Sequence, residues 1–470
     1  MENPNTQILR KKTNFNYGLR GWLLCLYCML GFMIIGGAFW MGAAQNTMVA
    51  VKAEQIGVDS ARILAANSTS GFIALIALLG IGVLYGKYKT RIMHTVVMIL
   101  CGITLIFYGS VSNIVGYIII FVMLDAFSNG ASTVGLPQIA AAYFPTKKGS
   151  FLGWATIGSN LAALVSFGIL NMLIAAQGVQ FATTCFGIFT IAMGLINWFL
   201  IPSNPESVGF LPDNGDFTKE ELTAHRDMMA GKPVWTIKEA IKNKNFWLLP
   251  IGYGLLFMCS NGFLSQMVPY QIEQIRGPIV QDLMATGNFE NMGAAISAAM
   301  SDGSIAAKAS GYMQILPVFA IPGSIFSGWL DQKFGTRHTG MAMAVFYVIA
   351  GFAGGLMPFN TVTNWIFMAS FFFWTGANAN LVMSHAASTF GPRDYPRLWG
   401  RMAPIYTLMR IFSPMVLSIF LTYSASSLIG YRNSYTFFGC AAILALILIF
   451  FTDQNVFKKS GEAPTGATKV

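Results

Sequence analysis

Gly82-Val-Leu-Tyr-Gly-Lys-Tyr-Lys-Thr-Arg91 and Gly328-Trp-Leu-Asp-Gln-Lys-Phe-Gly-Thr-Arg337 are two versions of one decapeptide. Five of the ten positions are identical, and aromatic Tyr88 matches aromatic Phe334. Each copy closes one long apolar run and opens the next. In the same register, Arg62 aligns with Lys308 upstream of the two turns. The chain therefore reads as two halves built on one plan.

Working outward from the two turns, the apolar runs can be counted. A hydrocarbon core of ~30 Å takes about 20 apolar residues as helix. Twelve runs meet that length: 20–44, 63–85, 93–111, 115–140, 150–175, 181–201, 246–270, 309–330, 338–357, 363–386, 402–425 and 433–452. The first is too long and too rich in glycine for a signal peptide, so it is expected to be retained. Composition agrees. Of 470 residues, 54% are hydrophobic and 10% charged, against about 25% charged in soluble domains. So few charges cannot cover a water-exposed surface, and so apolar a chain is not disordered. The expected fold class is an all-α membrane protein of twelve transmembrane helices in two six-helix pseudo-repeats.

Loop charge sets the orientation. With the N-terminus inside, 23 Lys and Arg fall in inside segments, five fall outside, and Arg410 lies within a span. Both termini, and both decapeptide turns, are expected in the cytoplasm. The expected organisation is residues 1–201 as an N-terminal bundle, 202–245 as a central cytoplasmic loop, 246–452 as a C-terminal bundle and 453–470 as a tail. The central loop holds charged amphipathic pieces around 218–229 and 236–242. The outer stretch 271–308 is rich in Gly, Ala and Ser and suits short surface helices. Gly149-x-x-x-Gly153 and Gly351-x-x-x-Gly355 suit close helix packing.

Several functions are excluded. The net charge of +10 does not imply nucleic acid, because the basic residues come in small groups with no aromatic interleaving. The six cysteines all lie in apolar runs. Cys25-x-x-Cys28 has no second pair, which favours packing over metal or redox chemistry. The four histidines, His94, His225, His338 and His385, are scattered, so no metal, cofactor or catalytic cluster is expected. There is no G-x-x-x-x-G-K-[ST] loop to hold ATP.

Two charges fall deep in spans. Asp125 lies about 15 Å into span four and Arg410 about 12 Å into span eleven, at 1.5 Å per residue. Each costs at least ~2.5 kcal/mol there unless it faces a partner or a cavity. Asp125, Ser128, Asn129 and Ser132 follow i, i+3, i+4, i+7 spacing, a polar stripe on one face. Tyr406, Arg410 and Ser413 share a face of span eleven. Thr375, Asn378 and His385 share one of span ten, with Trp374 alongside. Trp40, Gln45 and Asn46 end span one, Asn160 lies in span five, and Tyr253, Asn261 and Gln266 in span seven. Lone amides also serve as glue between helices, so both roles stay open for them. Arg410 suits a carboxylate, whose two oxygens match its fork. Asp125 is the first candidate for carrying a proton and His385 the second.

With the repeat, the long central loop and the duplicated turn in place, the whole chain resembles the major facilitator superfamily. The resemblance implies a secondary transporter whose halves rock about a midplane site. It implies a conformational gate at Gly82, Lys87 and Arg91, and at Gly328, Asp331, Lys333, Gly335 and Arg337. The first copy departs from the family pattern, with Tyr85 and Gly86 where an Asp is usual and Lys89 in place of Gly. Phe144-Pro-Thr-Lys-Lys-Gly149, Asn204-Pro-Glu-Ser-Val-Gly209 and Pro212-Asp-Asn214 resemble bacterial oxalate/formate-antiporter-like and monocarboxylate-porter-like members. Those antiporters carry a second cation in span eight, where this chain reads Pro322-Gly-Ser-Ile-Phe-Ser327. One deep cation favours a mono-anion. The expected partners are a small organic anion, a proton or counter-solute, and the bilayer of the cell membrane, with the protein a monomer. The substrate-binding candidates are Arg410, Tyr406, Asn378, Trp374, Asn261, Trp40 and Asn129. Symport and antiport fit equally, and a solute sensor or a neutral-solute carrier of the same fold are the alternatives.

Overall fold

The computed structural model describes residues 15–35, 43–58, 60–145, 147–202, 211–215, 223, 227, 234–286, 292–300 and 303–453. The first half runs α1 (Gly18–Ile35), α2 (Ala43–Ile56), α3 (Ser60–Lys87), α4 (Thr90–Ser110), α5 (Ile114–Asn129), α6 (Leu136–Tyr143), α7 (Lys148–Ala155), α8 (Ile157–Leu161) and α9 (Phe167–Leu200). A π-helical turn, Gly130–Gly135, joins α5 to α6, and another, Ala162–Ser166, joins α8 to α9. The second half runs α10 (Ile237–Lys242), α11 (Lys244–Ser265), α12 (Met267–Ala285), α13 (Met292–Met300), α14 (Ser304–Phe334), α15 (Thr336–Gly355), α16 (Thr361–Thr375), α17 (Asn378–Tyr423) and α18 (Ser427–Phe450).

Among the described residues, nine helices are long and apolar enough to cross a bilayer, and a bent pair, α16 with Asn380–Gly391, makes a tenth. Of the predicted first span, the described residues hold α1 up to Ile35 and the start of α2. The fifth is broken into α7, α8, the second π turn and the start of α9. Loops expected between spans five and six and between spans ten and eleven shrink to single glycines. Gly178 (φ 83) interrupts α9, and Gly391 (φ 79) interrupts α17. Both sit at positive φ, which glycine adopts without strain. Asn113 and Asn360 cap spans four and ten, each accepting from the backbone N–H three residues on, so these equivalent helices of the two halves start alike.

The outer stretch is helical, as its composition suggests. α12 continues span seven past a break at Gln266 (φ −122), and Tyr270 ties it to span nine through the Gly354 carbonyl, 2.6 Å away. In the central loop, α10 starts at a capping box formed by Thr236 and Glu239. The amphipathic piece 218–229 lies almost wholly outside the described residues, as do Trp40, the tail beyond 453 and the side chains of Gln45 and Asn46.

The halves meet along three antiparallel helix contacts. Spans two and eleven touch through glycine on glycine. A Cβ on Gly82 would strike the Gly400 carbonyl oxygen, and one on Gly86 would lie 2.9 Å from the Arg397 Cα. Spans five and eight do the same, with a Cβ on Gly153 meeting the Ser324 carbonyl oxygen at 2.7 Å and Gly328 Cα at 3.2 Å. Spans four and eleven pair from Gln138 with Pro396, through Thr133 with Trp399, to Asp125 with Arg410. The end carrying the decapeptide turns, the motif end below, is therefore closed. Gly351 and Gly355 pack span nine on Gly439 and Thr436 of span twelve, the other expected small-residue contact.

Candidate functional site

Arg410 and Asp125 face each other across the two halves, near mid-span. The Arg410 Nη2 to Asp125 Oδ1 distance is 3.7 Å, with both residues buried. Asn129, one turn along on the Asp125 face, donates to Asp125 Oδ1 at 2.9 Å and to the Asp125 carbonyl at 2.8 Å. The rest of the predicted polar stripe turns back on its own helix. Ser128 donates to the Leu124 carbonyl at 2.6 Å and Ser132 to the Ser128 carbonyl at 2.8 Å.

The ion pair uses one arm of the guanidinium. Arg410 Nη1 is buried with no hydrogen-bond partner among the described residues. The guanidinium carbon lies 5.5 Å over the Phe257 ring, and Phe257 stacks on Tyr406 at 5.0 Å with 11° between planes. This aromatic shelf from span seven was missed by sequence reading, although Phe257 is four residues before Asn261 and shares its face. Asn261 is half-buried on that face. The arrangement offers an anion one free guanidinium arm beside an apolar ring, with a carboxylate waiting on the other arm.

Other predicted residues are placed elsewhere. Tyr406 lies one turn from Arg410 and donates to the Asn378 carbonyl at 3.2 Å. The Asn378 side chain donates to Tyr347 of span nine at 2.8 Å, and Trp374 packs on Phe346 of the same span, 5.6 Å between rings. Both therefore look into the second half, although Asn378 Oδ1 and Trp374 Nε1 are buried without hydrogen-bond partners among the described residues. His385 lies near the motif end. Its Nδ1 is 3.1 Å from the Tyr253 hydroxyl, which also reaches the Thr336 carbonyl, and its Nε2 is 3.5 Å from Thr452. That is a packed histidine in the wall of one half. Asn160 joins the halves, donating to Ser324 at 3.0 Å.

The turn residues divide into two groups. Asp331 is buried and accepts from Ser384 at 2.5 Å. A Cβ on Gly149, in the first turn of α7, would strike its carboxylate, so the acid of one half sits at a helix N-terminus of the other, where negative charge is favoured. Arg91 and Arg337 instead hold the last span of their own halves. Arg91 donates to the Trp198 carbonyl at 2.8 Å and lies 4.3 Å over its ring, and Arg337 lies 5.0 Å over Phe450. Lys333 covers Trp329 at 4.7 Å, and Lys87 lies 5.6 Å from the Tyr88 ring. In the degraded first copy Tyr85 is buried and bonds His94 Nδ1 at 3.1 Å.

Two sequence stretches quoted for the finer resemblance meet at this end. Lys147 is buried, with its Nζ donating to the Asn16 carbonyl at 3.0 Å and the Asp213 carbonyl at 3.3 Å, and its backbone N–H to Asp213 Oδ1 at 3.2 Å. Asp213 and Asn214 hold left-handed φ of 51° and 61°, which short polar side chains tolerate better than most. On the other half, Asp394 accepts from the Val234 and Trp235 backbones at 2.8 and 3.3 Å, and Arg397 reaches both Asp394 and the Trp235 carbonyl. Each end of the central loop is thus seated on the loop that follows span four or span ten.

No curated protein sequence matches the chain. Among solved structures, it is similar to the human organic anion transporter MFSD10 (TETRAN), at 12% identity over 95% of this chain and 100% of that one, with a TM-score of 0.58. It is similar to the proton:xylose symporter XylE, solved with 6-bromo-6-deoxy-D-glucose, at 14% identity over 94% and 98% and a TM-score of 0.61. A third similar structure is the transporter FucP in its outward conformation, at 10% identity over 93% and 100% and a TM-score of 0.61. The family model of the Major Facilitator Superfamily matches residues 22–414, and the chain, with its nearly all-helical duplicated fold, belongs to that superfamily of transporters.

Proposed function

We propose that the protein is a secondary transporter of a small organic mono-anion across the cell membrane, acting as a monomer with both termini in the cytoplasm. The observation that carries this reading is the Arg410–Asp125 pair, buried between the halves with one guanidinium arm unused among the described residues. A substrate carboxylate can take both arms only if Asp125 gives up its share. Freed of its partner in a dry site, Asp125 then takes a proton. Anion and proton thus enter together, and loss of the proton restores the pair and releases the anion. Such a site has different affinity for substrate in its two charge states, which links the binding of proton and substrate. Proteins of this fold include an organic anion transporter and a proton symporter. The fold does not choose between solutes, and the choice here rests on Arg410.

The gate follows the same logic. The packing of Asp331 against the start of α7 and the Gly82–Gly400 contact hold the motif end shut, and opening that end has to break both. A thermal-shift screen tests the substrate class. Melting temperature is expected to rise with at least one monocarboxylate and not with its amide, and Arg410→Lys is expected to abolish the rise. Equal stabilisation by acid and amide, or by a neutral sugar alone, contradicts an anion site.

A further inference from the structure

We propose that Trp399 is the gate residue between the central site and the motif end, and that its partner is a carbonyl made available by Pro137. Trp399 is fully buried on span eleven, and its indole Nε1 donates to the Thr133 carbonyl of span four at 2.7 Å. In an α-helix the Thr133 carbonyl would accept from the N–H of residue 137. That residue is proline and has none to give. The Gly130–Gly135 π turn lies at the same place, with the Leu136 N–H bonding back five residues to the Ala131 carbonyl. An acceptor that Pro137 deprives of its α-helical donor therefore meets a donor from the other half. An indole N–H in a dry interface needs such a partner, since leaving it unmade carries the full desolvation cost.

Position supports the role. Trp399, Ala403, Tyr406 and Arg410 recur at i, i+4, i+7 and i+11, one face of span eleven. Tyr395 stacks beneath Trp399 (6.2 Å, 14°), and Tyr406 lies above it at 6.1 Å. The tryptophan thus stands on the line from Arg410 to the motif end. One turn further, Gln138 donates to the Pro396 carbonyl at 3.3 Å, so the two halves exchange one side-chain donor each. Both bonds cross the halves, and neither survives when spans four and eleven part.

The inference rests on the alternating-access reading above, but its test needs no substrate. Nitroxide labels at Tyr88→Cys and Phe334→Cys, exposed positions of the two turns, report the separation of the halves by pulsed electron–electron distance measurement. Cys185 and Cys440, the two cysteines that are not buried, are replaced by alanine. Trp399→Phe keeps a ring and removes the donor. Pro137→Ala restores a competing backbone donor and favours helix, so it is expected to fold at least as well. Each is expected to raise the long-distance, motif-end-open population about fivefold, the effect of one buried hydrogen bond, and the double variant no further than either single one. An unchanged population in Pro137→Ala, or additive effects in the double variant, overturns the assignment. A shift in Trp399→Phe alone assigns the gate to ring volume and likewise overturns it.

Discussion

Arg410 brings a permanent charge to mid-span, and Asp125 and Phe257 are what the fold provides for it. Removing either ionic partner has a separate signature. Asp125→Asn keeps the hydrogen-bond shape but cannot lose a proton. It is expected to retain exchange of labelled for unlabelled substrate while losing at least ~90% of uptake driven by a pH gradient, the pattern of a coupling residue rather than a binding residue. Gradient-driven uptake equal to the parent would remove Asp125 from the coupling step. At this scale the sequence told much. The two deep charges were visible because charges in apolar runs are rare. The role of Phe257 was hidden, because one aromatic among 38 phenylalanines carries no pattern until its neighbours are known. Trp374 was named for its chemistry, yet its ring packs into span nine, and helical position alone did not tell the inward face from the outward one.

Helices meet where side chains are absent, and glycine substitutions test those contacts. Gly82→Val places two methyl groups where the Gly400 backbone lies. It is expected to fold, since span two remains intact, and to cut transport at least ~10-fold by holding the motif end apart. Normal transport with normal expression would show that the contact is dispensable. At the opposite end, the buried Lys52 of α2 caps span three, its ammonium donating to the Tyr108, Gly109 and Val111 carbonyls at 2.5, 3.1 and 3.4 Å and to Gln55 at 2.8 Å. Those carbonyls end a helix, where a cation is favoured. Burial nevertheless pushes the Lys52 amine from 10.5 down to about 8. The unfolded chain then holds this proton more tightly than the folded one, so stability rises with pH between about 8 and 10.5 and is level below 8. Lys52→Met is expected to lose ~1–3 kcal/mol near neutral pH by taking this donor from the Tyr108 and Val111 carbonyls, Gly109 keeping the Gln55 amide at 3.0 Å, and to lose that pH slope. A melting curve with the same slope in both proteins would contradict it. The repeat of the decapeptide announced the motif-end contacts. Nothing in the sequence announced the Lys52 cap, because its partners are backbone atoms of another helix.

Across the molecule, the apolar runs and the duplicated turns carried the fold, and the breaks in it came from local chemistry. Pro137 and the adjacent π turn break the regular hydrogen bonding of span four, and the loops expected between spans five and six and between spans ten and eleven contract to Gly178 and Gly391. The charge asymmetry predicts that cysteines at positions 88 and 334 react with a membrane-impermeant reagent only in inside-out vesicles. Labelling in right-side-out vesicles would invert the topology. The account as a whole depends on a carboxylate binding at Arg410 between the two halves. Uptake of a panel of radiolabelled monocarboxylates into proteoliposomes under a proton gradient, parent beside Arg410→Lys, tests this most directly. The prediction is gradient-driven accumulation of at least one acid by the parent and at least ~10-fold less by the variant, whose single ammonium cannot hold two oxygens. Equal accumulation by the two proteins, or accumulation of neutral solutes alone, would contradict it.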